Sequence, residues 1–487
     1  MSSVGSAAMS NEVGGASFIA TDSSTRESQR PARTVDDGRR TPSPVPGRQR
    51  SAGLRLTGGL ISAALALSFP LAADAEDGII GPPACGYKVE YWVAPNCGGA
   101  TSLSFATAVN DAGVAVGYYE GCPSPNAHRA FVWYPDGTVQ TIDIPWSISE
   151  QACGVNNHTQ IAFEVDAPGA TLARVPALWQ DGELLEVFGL PEWANNAFVH
   201  GINDAGVIVA EYGNIVTGPA PLAGVWSVQD GFVDVSARIP TASSQPCGIT
   251  AAGAIAGTGW PHQPLPVQEH YRAFMHQNGV TAFAEAVPGC INSIANGVSS
   301  AGHVVGYGQT SLYVKGETDT HPWIAFIWHL GDLQVLPPLA IADHDETIAS
   351  AVNSSGVVIG RSSSTAPGVP GKRVVWFGGI PHDLTALSHL PSNSSIGTSR
   401  AISDTGIIVG NGGHQGAPRA MRLTPIRRPL ADLDHDCLVD GSDLSALLSS
   451  WGTVSHHQNR PHPADLNSDG AVDGEDLGLL LAEWSTR

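Results

Sequence analysis

The feature that most constrains this 487-residue chain is an internal repeat. A segment clearest at Ala106-Thr-Ala-Val-Asn110-Asp111-Ala112-Gly113-Val114-Ala115-Val116-Gly117 recurs around Asn156, Asn203, Thr250, Ser299, Asn353 and Ser403. Successive anchors lie 46, 47, 47, 49, 54 and 50 residues apart. That near-constant period belongs to propeller blades, not to helical solenoids. The expected fold is therefore all-β, an approximately seven-bladed β-propeller, one blade per copy.

Each copy reads as two hairpins. Val-Asn-Asp-Ala-Gly-Val lies between alternating apolar segments, with Asn or Asp opening a tight turn and Gly supplying φ > 0. Gly113, Gly206, Gly253, Gly302, Gly356 and Gly406 hold that place; the second copy has Asn157-His158-Thr159 instead. A later strand ends at Trp133, Trp179, Trp226, Trp328 or Trp376. Its turn follows at Asp136-Gly137, Asp181-Gly182, Asp230-Gly231, Asn278-Gly279, Gly331-Asp332 or Gly378-Gly379. Four strands make one blade. The repeated Trp are expected to pack between blades; the other use of such a set is a sugar-binding ring. The seventh copy stops after Arg419-Ala-Met-Arg422-Leu423 without its last strand, and Tyr87-Lys-Val-Glu-Tyr-Trp-Val93 precedes the first copy with strand alternation. That segment is expected to complete the last blade and close the ring, removing free sheet edges.

Composition agrees: 56 Gly and only 14% charged residues suit a turn-rich β body. Of 24 Lys/Arg and 45 Asp/Glu, residues 1–75 hold 8 and 6, so 16 and 39 remain beyond them, a net of −23. Such a surface repels phosphate backbones and argues against nucleic acid as a partner.

Residues 1–52, rich in Ser, Gly, Pro and Arg, are expected to be a disordered leader. Residues 53–75 read as a signal peptide. Arg48, Arg50 and Arg55 precede an apolar run from Leu56 to Ala73, and Ala73-Asp74-Ala75 places small residues at the −3 and −1 positions of a cleavage site. The run is shorter than the ~20 apolar residues of a membrane span. The expected location is secreted, extracellular or at the cell surface, with membrane attachment only through an uncleaved signal. Cysteine usage fits export. Cys85, Cys97, Cys122, Cys153, Cys247 and Cys290 can pair in many ways. Neighbours in sequence order (85–97, 122–153, 247–290) are the expected bridges, leaving Cys437 over.

The chemistry-bearing motif is C-terminal and doubled. Asp432-Leu-Asp434-His-Asp436-Cys-Leu438-Val-Asp440-Gly-Ser-Asp443 matches Asp465-Leu-Asn467-Ser-Asp469-Gly-Ala471-Val-Asp473-Gly-Glu-Asp476, with a constant offset of 33. Oxygen-bearing side chains at loop positions one, three, five, nine and twelve, with the carbonyl of Leu438 or Ala471 at seven, form an EF-hand-type ligand set for Ca²⁺. Two calcium sites are expected. Cys437 takes the sixth position, where Gly usually adopts positive φ, and a side chain there costs roughly 1–2 kcal/mol. The first site is therefore expected to be the weaker. Each loop runs into a short helix whose apolar face (Leu444, Leu447, Leu448, Trp451; Leu477, Leu480, Leu481, Trp484) is expected to pack against the other.

Two resemblances rest on these residues. Val109-Asn-Asp-Ala-Gly-Val-Ala-Val-Gly117 with His128-Arg-Ala-Phe131, and Ile202-Asn-Asp-Ala-Gly-Val207, resemble the extracellular HAF repeat. Tyr271-Arg-Ala-Phe274 and Trp323-Ile-Ala-Phe326 depart from it in lacking the His. This resemblance implies an exported propeller-like body over residues 76–425 and no particular activity. Residues 426–487 resemble a type I dockerin, because Pro425 and Pro429, and Pro461 and Pro463, stand where an EF-hand would place a preceding helix. That resemblance implies docking on a cohesin-like protein domain, with Gly441, Ser442, Gly474 and Glu475 at the partner-selecting positions.

No GxSxG, HExxH or P-loop occurs. Glu164, Glu211 and Asp234 are expected to be solvated loop groups, and His128, His200, His270, His303 and His321 polar surface. The expected function is a secreted, non-catalytic binding or scaffold protein tethered through its calcium module. The alternative is a polysaccharide-degrading hydrolase or lyase with the propeller as catalytic domain and polysaccharide as its ligand.

Overall fold

The computed structural model describes residues 81–485 except 96–101, 121–126, 168–172, 215–220, 262–270, 311–321 and 454–461. The leader, the signal segment, Cys97, Cys122, His270, His321 and Pro461 lie outside the described residues. No helix among those described is long and apolar enough to cross a membrane.

The body is nearly all β and has a propeller architecture. In the first repeat, Leu103–Val109, Ala115–Glu120, His128–Trp133 and Val139–Ile142 pair in that order as an antiparallel meander. The same order recurs in the repeats that open at Gln151, Asn196, Thr241, Asn292 and Glu346. The last repeat supplies Ser394–Ile402, Ile408–His414 and Ala417–Pro425, and its outer strand comes from the other end of the chain. Tyr87–Trp92 pairs antiparallel with Ala417–Pro425, Tyr87 opposite Pro425 and Trp92 opposite Ala420. The closing strand is thus where the incomplete final repeat placed it. The opening strands of successive repeats touch, and that of the last touches that of the first.

Burial of apolar faces between consecutive sheets holds the ring. Val116 and Ala130 of the first repeat pack on Ile161 and Trp179 of the second. Val409 and Ala420 of the last repeat pack on Ala106 and Phe131 of the first. Trp133, Trp179, Trp226, Trp328 and Trp376 are all buried in such clusters, the packing use expected for them. Arg422, only 2% exposed, joins last repeat to first: it lies 4.3 Å over the Trp133 ring, donates to the Tyr134 carbonyl (2.9 Å) and pairs with Glu90 (3.1 Å).

Two local features depart from the sequence reading. The turn expected at Gly331-Asp332 is Leu330-Gly331, both residues at positive φ, because His329 pairs with Asp332. Every opening strand is also bulged, with the register slipping by one residue at Thr107, Cys153, His200, Cys247, Asn296, Ser350 and Arg400. The bulge explains the final Gly of the repeat: a Cβ on Gly117, Gly257, Gly306, Gly360 or Gly410 would collide with a carbonyl of the bulged strand.

The anchor residues form a ladder around the channel. Asn110 accepts from Val114 N within its own turn (2.9 Å) and donates its amide to the Asn156 carbonyl of the next repeat (3.0 Å). Asn156, Asn203 and Asn353 do the same toward Asn203, Thr250 and Ser403. Thr250, Ser299 and Ser403 cap their own turns by a hydroxyl, which has no amide to send across. Asp404 N donates to Asp111 (2.7 Å), so this rim joins last repeat to first.

Candidate functional site

The two C-terminal loops have the same internal geometry. Asp436 N and Asp469 N donate to the first aspartate of their loops, Asp432 and Asp465, both at 3.1 Å. Cys437 N and Gly470 N donate to the other oxygen of the same carboxylates at 3.1 and 3.0 Å. Helices α1 (Gly441–Ser449) and α2 (Gly474–Ala482) begin with matching capping boxes, Asp440 with Asp443 and Asp473 with Asp476. The segment after each helix pairs with the opposite loop: Gly452 with Val472, and Ser485 N with the Val439 carbonyl. This exchange gives the module its pseudo-twofold symmetry.

Oxygens of Asp432, Asp434 and Asp436 lie within 4.8 Å of one another. Ligands about 2.4 Å from one Ca²⁺ are separated by no more than this, so the residues fit the ion. Loss of solvation, then the neighbouring Asp436, Asp443 and Asp432, raise the pKa of Asp434. Asp443 and Asp476 are fully buried, and their oxygens accept from backbone N–H groups: Leu433, Asp434 and Asp440 in one loop, Leu466, Asn467 and Asp473 in the other. Burial raises the Asp476 pKa, but those N–H bonds outweigh it and hold the carboxyl below its usual range. Gly441, Ser442, Gly474 and Glu475 are exposed at the first helical turns.

The helix faces need correction. Leu447 and Leu480 are buried with Val439, Val472, Ala431 and Leu466, and Leu444 and Leu477 border that core. Leu448, Trp451, Leu481 and Trp484 are exposed. Trp451 and Trp484 lie past the helix ends at Ser449 and Ala482.

The expected disulfides also need correction. Cys85 bonds to Cys437 across 352 residues, with a Cα–Cα distance of 5.5 Å, while Cys153, Cys247 and Cys290 are free thiols. Cys153 donates instead to Glu164, Cys247 and Cys290 border one core cluster without bonding, and Cys97 and Cys122 lie outside the described residues. The signal available in the sequence was Cys437 itself. It occupies a left-handed position, φ +70°, that Gly fills in the second loop.

In the propeller, Glu164 is no solvated loop group. It is buried between the second and third repeats, accepting from Val199 N (2.9 Å), Arg174 (3.0 Å) and the Cys153 thiol (3.8 Å). Burial raises its pKa against the pull of Arg174. Glu211 takes the equivalent place one repeat on, 3.9 Å from His200. Burial raises Glu211 to about 7 and lowers His200 to about 4. Cys153 with Glu164, and His200 with Glu211, thus form equivalent pairs in adjoining repeats. Asp234 is exposed, as expected, and caps Ser236 N. The His303 and His329 rings meet at a tilt, centroids 4.1 Å apart, and His128 bonds Ser149 and Gln151 between the first two repeats. Sequence reasoning missed Glu150, which is fully buried on Arg129 at 2.6 Å; burial pushes it to about 7 against that arginine. At the turn end of the channel, a cavity of ~120 Å³ is lined by residues including Asn110, Asp111, Asn157, Asp204 and Asp404.

No family model and no curated protein sequence matches the chain. Among solved structures it is similar to the β-propeller domain of the Trilobed protease from Pyrococcus furiosus, at 10% identity and TM-score 0.46, over 66% of this chain and 95% of that one. It is similar to the Pyrococcus horikoshii acylaminoacyl peptidase at 10% identity and TM-score 0.41, over 65% of this chain and 52% of that one. It is also similar to an ulvan lyase, a polysaccharide lyase, at 11% identity and TM-score 0.34, over 54% of this chain and 77% of that one.

Proposed function

We propose that the chain is an exported, seven-bladed propeller of the HAF-repeat kind, tethered to a cohesin-like partner or cell-surface assembly by a calcium-dependent, dockerin-like module. The observation that carries this reading is the doubled loop: two acidic ligand sets with the same backbone geometry, each opening a capped helix. Calcium would be held by Asp432, Asp434, Asp436, the Leu438 carbonyl, Asp440 and Asp443, and by Asp465, Asn467, Asp469, the Ala471 carbonyl, Asp473 and Asp476. Bound, the ion supplies the positive charge that lets several carboxylates sit together. Gly441, Ser442, Gly474 and Glu475 then present the partner-facing turns.

Titration calorimetry on the full chain tests this. Two ions per chain are expected, with Asp465→Ala removing the tighter and Asp432→Ala the weaker. Absence of binding heat and of any calcium-dependent circular dichroism change would sink it. Capture of a cohesin domain, lost with chelator, tests the partner. One observation favours the polysaccharide-cleaving alternative: burial raises the Glu211 carboxyl to about 7, and it lies 3.9 Å from His200. Sugar release from a polysaccharide, abolished by Glu211→Gln, would replace the non-catalytic reading of the propeller.

A further inference from the structure

We propose that calcium binding in the first loop is energetically coupled to closure of the propeller ring, with the Cys85–Cys437 bond as the coupling element. This rests on the calcium reading of residues 432–443 given above.

The geometry is specific to one loop. Cys437 lies between ligand positions Asp436 and Leu438, and its backbone N–H bonds the Asp432 carboxylate at 3.1 Å. Its disulfide partner, Cys85, is 6% exposed and stands two residues before the closing strand Tyr87–Trp92. The same point is held by further bonds. Ile426 N donates to the Gly86 carbonyl (2.8 Å), Tyr87 N to the Leu387 carbonyl (2.8 Å), and the His389 ring meets the Cys85 carbonyl (2.9 Å). Arg428 reaches Asp432 at 3.6 Å. The second loop has Gly470 at the equivalent position and so has no thiol to make such a bond.

The first loop is therefore fixed to both partners of the closing pair: covalently to the lead into Tyr87–Trp92, and through the short stretch 426–431 to the end of Ala417–Pro425. A ligand that orders this loop stabilises the arrangement in which the closing strand is docked, and a docked strand pre-forms the loop. Such coupling is reciprocal. It also accounts for a side chain kept at φ +70° in Cys437, where glycine would relieve strain but break the bond.

The test uses the full chain. Ring melting is followed by near-ultraviolet circular dichroism of the buried Trp, in saturating calcium and in chelator, with calorimetry counting bound ions. Calcium should raise the ring transition of the parent by roughly 3–6 °C. Asp465→Ala should keep that shift. Asp432→Ala should lose it, and C85S/C437S should lose most of it while still binding calcium. If C85S/C437S fails to fold, C85A/C437G serves, since glycine suits the left-handed turn. No calcium uptake by the parent would overturn the calcium reading and the coupling with it. Uptake with an unmoved ring transition, or an equal shift without the disulfide, would overturn the coupling alone.

Discussion

Two positions carry a cost that a single substitution removes. Leu330 is 93% exposed at φ +51°, and Thr159 takes φ +59° where the other repeats have Gly. Neither leucine nor a β-branched residue suits the left-handed region. Leu330→Asn and Thr159→Asn should each raise unfolding free energy by about 1 kcal/mol in denaturant melts. Glu211 and His200 oppose one another in pH dependence. Glu211 is raised from 4.5 to about 7, so its contribution is present below pH 4.5 and lost as pH rises through 7. His200 is lowered from 6.5 to about 4, so its contribution is present above pH 6.5 and lost as pH falls through 4. The parent should show a shallow profile from this pair. Relative to it, Glu211→Gln should gain stability toward pH 8, by roughly 1–3 kcal/mol, and His200→Asn should gain toward pH 4. Melts across that range check both slopes.

At the scale of elements, the anchor ladder lends itself to addition as well as deletion. Asn156→Ala strands buried donors and acceptors and should cost roughly 2–4 kcal/mol. Thr250→Asn should gain about 0.5–1.5 kcal/mol by supplying the missing amide toward the Ser299 carbonyl. Equilibrium unfolding measures both, and a destabilised Thr250→Asn would show that the interrupted ladder is not short of donors. This ladder marks how far the sequence could be read. The repeat period, the turn chemistry and the missing outer strand all stood in local patterns, and strand order followed from them. The bulges did not, because a one-residue slip leaves no compositional trace beyond a Gly whose reason is a neighbouring carbonyl. Burial of Glu164 was equally hidden: a carboxylate on a strand reads as solvent-facing until its arginine, 10 residues on, folds back beside it. The doubled acidic loops were legible because all the side chains of each lie within one short segment. Cys85–Cys437 was not, because only the closed ring brings residues so distant in sequence together.

For the whole molecule, closure by Tyr87–Trp92 makes a terminal segment responsible for the integrity of a ring of several hundred residues. Tyr87 is 1% exposed and packs with Val89, Met421 and Leu423, while Leu384 of the preceding repeat completes that cluster. A chain beginning at Leu103 should melt earlier and less cooperatively than the parent. A synthetic peptide of residues 84–95 should restore part of the loss, by saturable binding measured in calorimetry.

That strand also has a place in time. It leaves the ribosome first of all the described strands, yet its partner Ala417–Pro425 is among the last to be made. At typical synthesis rates, the 352 residues between Cys85 and Cys437 take roughly 20–70 s to appear. Throughout that interval Tyr87, Val89 and Tyr91 have no sheet to join, and Cys85 has no correct thiol to meet. The order of birth therefore exposes the segment that finishes the structure for longest, and makes Cys85 the cysteine most in need of protection from earlier, wrong partners.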